Sequence, residues 1–278
     1  MLNIGPHLSI SKGYEHMGKE ALSLGADTFQ FFTRNPRGGK AKAIDPEDVK
    51  GLVKLVEEGK IRNILAHAPY TLNMAGAKEG TREFAKEVFR KDLDIMNMIP
   101  CSLYNFHPGS YTKDTLKIGT ERIISTINGQ LKKDDDVTVL LETMSGKGTE
   151  IGRSFEELKT IIDEIDLKHK MGVCLDTCHV FCAGYDIKNN LDGVLDEFDR
   201  VLGMERLKAV HLNDTKNDFK TFKDRHEKIG KGFLGLDAFI NVINHEKLKN
   251  LPFFLETPNE LDGYRDEIKL LRGHYTDE

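Results

Sequence analysis

Imidazoles and carboxylates recur in this chain at one kind of place, the end of a short apolar run. In MGVCLDTCH the run closes on Asp176, and His179 follows three residues later. His7 closes the first such run, His67 the third, His107 the fourth, Glu142 the fifth, His211 the seventh and Glu256 the eighth. Asp224 and His226 stand in a long polar stretch after the seventh run, and their D-x-H spacing can put both on one side of an extended segment. His67, His107, Glu142, Asp176, His179, His211, Asp224, His226 and Glu256 make five imidazoles and four carboxylates. That mixture suits Zn2+ or Mn2+ better than Mg2+, which takes oxygen ligands. Nine donors are too many for one ion, and bridging carboxylates would let them hold two or three. A lone strand-end histidine is ordinarily a hydrogen-bonded structural residue, but seven of eight runs ending on metal-competent groups do not fit that reading. His7, with no partner near it in sequence, is expected beside the ligands. His16, His169, His245 and His274 fall on helices, linkers or the tail and are expected at the surface.

The cysteines offer a rival chemistry. Cys174, Cys178 and Cys182 are spaced C-x3-C-x3-C. Radical-generating barrel enzymes use C-x3-C-x2-C after the first strand, so spacing and position both differ. Cys174 lies inside an apolar run, where a free cysteine behaves as a small hydrophobe, and the three are expected to pack. With Cys101 the chain has only four, three of them crowded together, unlike a disulfide framework. A reducing, cytoplasmic setting is the expectation.

Something must hold nine side chains at one place. The apolar runs begin near residues 4, 27, 63, 102, 137, 171, 207 and 251, and the middle ones recur every 34 to 39 residues, the length of a βα unit. VTVLLE and LPFFLE are apolar throughout, as parallel strands covered on both faces are. Amphipathic segments intervene at 13–24, 45–58, 79–98, 114–131, 154–165, 191–202, 236–243 and 260–271. Asp45-Pro46-Glu47-Asp48 and the Ser154/Glu157 capping box mark two helix starts. Eight strands alternating with eight helices predict an α/β fold, one (β/α)8 TIM barrel over residues 1–278 with its site at the C-terminal rim of the strands. A doubly wound open sheet is the alternative.

Composition limits the function without fixing it. No apolar run approaches the ~18 residues that span a membrane, and the N-terminus shows no basic segment followed by an apolar one. A formal net charge of −5 argues against a protein that coats nucleic acid by bulk attraction. It leaves room for local basic loops. Residues 33–44 and 213–234 are long irregular stretches, and such loops are usually functional. Arg34, Arg37, Lys40 and Lys42 have no acid among them, and residues 216–231 carry six basic side chains against three acids. Leaving the same rim, both loops suggest a groove that follows phosphates. Tyr70, in HAPYTLNMAG, could stack on bases or pack in the core.

These residues carry a resemblance. NFHPGS, LETMSGKGTEIG, GVCLDTCHVFCAGYD, HLNDTKNDF with DRHEKIGKG, and LPFFLETPN occur in order along essentially the whole chain. The sequence strongly resembles endonuclease IV, the metal-dependent abasic-site endonucleases of DNA repair. The resemblance implies a barrel with three zinc ions, with Mn2+ possible in part. One site would use His67, His107 and Glu142. The second would share Glu142 as a bridge with Asp176, His211 and Glu256, and the third would use His179, Asp224 and His226. Glu142 and Glu256 would be catalytic, the latter orienting the attacking water. The implied reaction is hydrolysis of the phosphodiester 5′ to an abasic site in double-stranded DNA, giving a 3′ hydroxyl and a 5′-deoxyribose phosphate, with 3′-end cleaning beside it. Arg37 and Tyr70 would probe the duplex. Thr71 stands where the family often has a bulky apolar wedge, which shifts that role to Tyr70 or Leu72. Met144 and Ser145 also depart from the common pattern, though neither is a ligand. A monomer without an obligate protein partner is expected. A metal-dependent sugar isomerase or epimerase on a related barrel needs fewer ligands and leaves His179, Asp224 and His226 without work. A catalytically dead DNA-binding module would have no need of the full ligand set.

Overall fold

The computed structural model describes residues 1–37 and 40–276. The strands, in chain order, are β1 (Ile4–Leu8), β2 (Gln30–Phe32), β3 (Leu65–His67), β4 (Leu103–Phe106), β5 (Thr138–Glu142), β6 (Met171–Asp176), β7 (Leu207–His211), β8 (Asp214–Thr215), β9 (His226–Glu227) and β10 (Phe253–Leu255). Eight of them close a parallel barrel in the order β1-β10-β7-β6-β5-β4-β3-β2, with β2 pairing back onto β1. This is the TIM barrel that the eight apolar runs predict, and the open sheet is excluded. The remaining two, β8 and β9, form a small antiparallel pair in which Thr215 faces His226. They lie in the stretch 213–234, so that segment is partly ordered as a hairpin where the sequence suggests only loop.

Eight helices stand where periodicity places them: α1 (Tyr14–Ser23), α2 (Pro46–Glu57), α3 (Glu79–Met96), α4 (Leu116–Gln130), α5 (Phe155–Asp163), α7 (Leu191–Leu202), α8 (Leu236–Asn244) and α9 (Leu261–His274). Asp45 caps α2 through Glu47 N, and Ser154 caps α5 through Glu157 N. Glu157 reaches back to the backbone N–H groups of Gly152 and Arg153, fastening the loop that enters α5. The short α6 (Thr177–Ala183) has no counterpart among the amphipathic segments, because all of its described residues from Thr177 to Cys182 are buried. Without a polar face it carries no helical period to read.

Inside the barrel Leu65, Leu140, Cys174, Ala209 and Phe254 form an apolar plug. A larger core fills the space between sheet and helices. The plug makes the barrel a packed floor, so only its rim can hold chemistry. At the opposite end Asp27, where the second run was expected to begin, lies before β2. Its carboxylate accepts hydrogen bonds from Ile4 N, Arg62 and Arg272, tying β1 and α9 together. Among the described residues no helix is long and apolar enough to cross a membrane.

Candidate metal centre

Strand register decides which side chains meet. Pairing of β6 with β7 sets Asp176 against His211, and pairing of β2, β3 and β4 lines up Phe32, His67 and Asn105. Glu142 ends β5, His107 follows β4 by one residue, and Glu256 follows β10 by one. Asp176 has a second function as the N-cap of α6, accepting His179 N at 2.8 Å. Gly184, at φ 111, ends that helix in the left-handed region. His226 is carried by β9, and Asp224, two residues earlier, comes within 3.4 Å of it, as the D-x-H spacing predicts.

Nine predicted donors gather at this rim as contiguous groups. His67, His107 and Glu142 form one, and Glu142, Asp176, His211 and Glu256 another. Glu142 belongs to both through different oxygens. Its Oε2 lies 3.1 Å from His67 Nε2 and 3.4 Å from His107 Nε2, while its Oε1 lies 3.4 Å from His211 Nδ1. A third region divides less simply. Asp224 Oδ1 sits between His179 Nε2 at 3.3 Å and His226 Nε2 at 3.4 Å. The tighter groupings there are Asp176 with His179 and His226, and Cys178 with Asp224 and His226. Cys178 is therefore nearer the donors than packing alone requires, whereas Cys174 lies in the plug as expected.

The hydrogen bonds around the imidazoles orient them. His67 Nδ1 meets Ala68 O at 2.7 Å, His179 Nδ1 meets Thr143 O at 2.9 Å, and His226 Nδ1 meets Glu256 O at 3.3 Å. Each carbonyl accepts an N–H, so in the neutral imidazole the lone pair lies on the opposite nitrogen, which faces the cluster. Four buried atoms of the nine donors have no hydrogen-bond partner: Glu142 Oε1, His179 Nε2, His211 Nδ1 and His226 Nε2. A buried polar atom left unpaired costs about 1–3 kcal/mol, so four aimed into one volume fit metal coordination. The mixed nitrogen and oxygen donor set fits zinc.

Charge reinforces the fit. Burial alone would push His179 and His211 down, yet the neighbouring anions outweigh it and hold both well above the usual imidazole range. For His179 the largest opposing influence is Asp176; for His211 it is Cys174, then Glu256 and Glu142. Burial would likewise raise Glu142, but His107 and His211 hold it well below the carboxylate range. The centre is thus a buried anionic cluster that draws positive charge. His7 is pushed down by its own burial and lies 3.7 Å from Glu256, beside the donors as expected.

Three buried amides also bond to the donor side chains. Asn105 donates to Glu142 Oε2 at 2.6 Å. Asn213 donates to Asp176 Oδ2 at 2.7 Å and accepts Glu256 N at 2.8 Å. Gln30 contacts Glu256 and His211. Their one signal is a lone amide inside or beside an apolar run.

The residues expected at a duplex separate. Arg37 is exposed, in a turn after β2. Tyr70 is 60% exposed, with its ring 5.8 Å from His107 and 5.0 Å from Phe32, at the edge of the first donor group. Leu72 is buried, which leaves Tyr70 of the two wedge candidates. Arg34 corrects the expectation of a uniformly basic loop. It is buried and ion-paired with Asp92, whose carboxylate also accepts from Thr33 and Tyr104.

A parallel barrel with a histidine and carboxylate mouth defines the class, and the family described as xylose isomerase-like TIM barrel matches residues 19–274. A probable endonuclease 4 of Alkaliphilus oremlandii is 61% identical over 278 residues, covering 100% of this chain and 99% of that protein. Another from Clostridium botulinum is 61% identical over 275 residues, covering 99% of each. The crystal structure of endonuclease IV from Thermus thermophilus matches with a TM-score of 0.87 at 30% identity, covering 98% of each chain. The chain belongs to the endonuclease 4 family. A D-tagatose 3-epimerase-like protein, at 20% identity and a TM-score of 0.73 over 97% of this chain and 96% of its own, shares the fold.

Proposed function

We propose that this chain is a DNA repair hydrolase that cleaves the phosphodiester on the 5′ side of an abasic nucleotide in duplex DNA, leaving a 3′ hydroxyl and a 5′-deoxyribose phosphate. The observation that carries the reading is the set of four unpaired, buried donor atoms converging at the barrel mouth. In this reading residues 1–278 act as one domain and as a monomer. His67, His107 and Glu142 would hold one zinc ion. Glu142, Asp176, His211 and Glu256 would hold a second, and His179, Asp224 and His226 a third, with Mn2+ able to replace zinc in part. When bound, such ions acidify water toward a pKa of ~7 and neutralise charge on phosphoryl oxygens.

The side chains have their own tasks. Glu142 divides its oxygens between two groups, which fixes their separation. Glu256 has one oxygen anchored by Gln30 and the other facing His211, so it is held to orient a water for attack on phosphorus. The bond that breaks is that from phosphorus to the upstream 3′ oxygen. Arg37 neutralises a backbone phosphate, and the basic loop 216–231 follows the strand. Tyr70 presents its ring where an unstacked nucleotide enters. An abasic nucleotide has neither pairing nor stacking to lose, so extrusion costs least there and supplies selectivity. Blocked 3′ ends present the same bond to the same residues.

Elemental analysis of the purified protein beside a nicking assay on one abasic duplex tests the proposal. About three ions per chain with nicking 5′ to the lesion is the expected result. Two ions without nicking would favour a sugar isomerase or epimerase, and metal with duplex binding but no nicking would favour a non-catalytic module.

A further inference from the structure

Of the histidines whose second nitrogen is oriented in the centre, three are held by backbone carbonyls, and His211 is held by a side chain. That side chain is Gln30, fully buried on β2 opposite His7 in the register. Its amide oxygen lies 2.6 Å from His211 Nε2, and its amide nitrogen lies 2.5 Å from Glu256 Oε1 and 2.8 Å from His7 Nδ1.

Only one orientation of this amide satisfies all three contacts. With the oxygen toward His211, that oxygen accepts Nε2–H, and the two amide hydrogens go to Glu256 and His7. The flipped amide would press its oxygen against a carboxylate and force His211 to carry its proton on Nδ1. Nδ1 is the atom left unpaired, 3.4 Å from both Glu142 Oε1 and Glu256 Oε2. A proton there would remove the lone pair that a metal needs.

We infer that Gln30 is a positioning residue for the shared centre: one amide fixes the tautomer of His211, turns Glu256 toward it and fixes His7 as an acceptor. This rests on the proposed reading that His211 and Glu256 hold a metal, and it assigns their alignment to a residue that touches no ion. The other oriented imidazoles depend on main-chain carbonyls, which no substitution removes. His211 is therefore the one whose donor state this sequence position can change.

The test uses the metal-loaded full chain and two readouts besides activity. In 15N-histidine-labelled protein, His211 Nε2–H is expected as a downfield, slowly exchanging proton. In Gln30→Met, similar in length but unable to accept or donate these bonds, that resonance should move upfield and exchange faster. Competition with a chelator should show one bound ion weakened by about 10–100-fold while the others keep their affinity. Gln30→Glu retains an acceptor for His211 but sets its second oxygen against Glu256, so it should keep the proton on His211 Nε2 while weakening the same ion. A wild-type His211 Nε2–H that exchanges freely overturns the inference, as does Gln30→Met with unchanged proton and metal affinity. If Gln30→Met fails to fold, the wild-type protein alone decides: a His211 proton found on Nδ1 rather than Nε2 overturns the inference. A protected proton in a wild-type protein that takes up no metal would sink the proposed centre and leave the role of Gln30 standing.

Discussion

Asp176 accepts the backbone N–H of His179 at 2.8 Å, so the carboxylate that ends β6 is also the residue that starts α6. Its other oxygen accepts Asn213 Nδ2 at 2.7 Å and lies 3.7 Å from His226 Nε2. One side chain thus sets the position of His179 through the backbone and contributes charge to the cluster. The two roles separate by substitution. Asparagine caps a helix about as well as aspartate, whereas alanine forfeits roughly 1 kcal/mol of cap. Asp176→Asn is expected to lose bound metal while retaining α6. Asp176→Ala should lose metal and also about 1 kcal/mol more stability than the asparagine variant. Metal content and denaturant midpoints of the pair check this, and equal midpoints would remove the capping role.

Arg34 and Arg37 are three residues apart and lie in opposite surroundings, one buried and one exposed. Arg34 is 3% exposed and paired with the fully buried Asp92. Removing one partner of a buried pair leaves an uncompensated charge and costs roughly 3–5 kcal/mol. Arg34→Met is expected to destabilise the fold by about that amount and leave the salt dependence of DNA binding unchanged. Arg37→Ala should do the reverse, lowering the slope of log affinity against log salt by about 0.9 for one lost contact to B-form DNA, with no change in stability. Salt titrations of both variants on one abasic duplex decide between the assignments.

This pair also shows where the sequence stops being legible. Eight strands and eight helices could be read because burial on two faces leaves a short unbroken apolar run and burial on one face leaves a helical period. The nine clustered side chains could be read because six of them close apolar runs and the other three stand at short spacings, His179 three residues after Asp176 and Asp224 two before His226. A basic residue has no period, so Arg34 in FFTRNPR looks like Arg37 until Asp92, 58 residues away, is brought beside it. Helix α6 was hidden by burial all round, and the β8–β9 hairpin by strands only two residues long. Gln30, Asn105 and Asn213 were hidden because an amide carries no charge. Their function comes from hydrogen bonds across the barrel, which depend on register.

Away from the mouth, Asp135 is a carboxylate whose contribution to stability is expected to fade in the acid range. Its carboxylate accepts from Arg90 Nη2 at 2.7 Å, Lys132 N at 2.8 Å and Asn97 Nδ2 at 2.9 Å. Burial opposes ionisation, but Arg90 and the other donors outweigh it and lower the group from 3.8 to about 2. A carboxyl whose folded value lies below its unfolded one stabilises the fold above the unfolded value. It loses that contribution as pH falls through the folded one. Stability from this group should therefore be complete above about pH 4 and disappear toward about pH 2. Asp135→Asn should be less stable at neutral pH and show a shallower decline across that window. Denaturant midpoints measured down the acid range provide the check, and parallel curves for the two proteins would refute the assignment.

Glu142 is where the two best-defined donor groups join, since each of its oxygens faces a different one. Asn105 fixes the Oε2 side at 2.6 Å, so the carboxylate cannot rotate without losing that bond. Glutamine at this position keeps the size of the side chain and one acceptor but removes the charge and the second acceptor. Its amide nitrogen would have to face either Asn105 or His211. Glu142→Gln is expected to lower turnover by about two to three orders of magnitude, the cost of one lost electrostatic contact at a reacting centre. It should still bind abasic duplex, because Arg37, Tyr70 and the basic loop lie outside the change. Single-turnover nicking rates and duplex affinity measured together test it, and near-wild-type turnover would rule out a bridging role for Glu142.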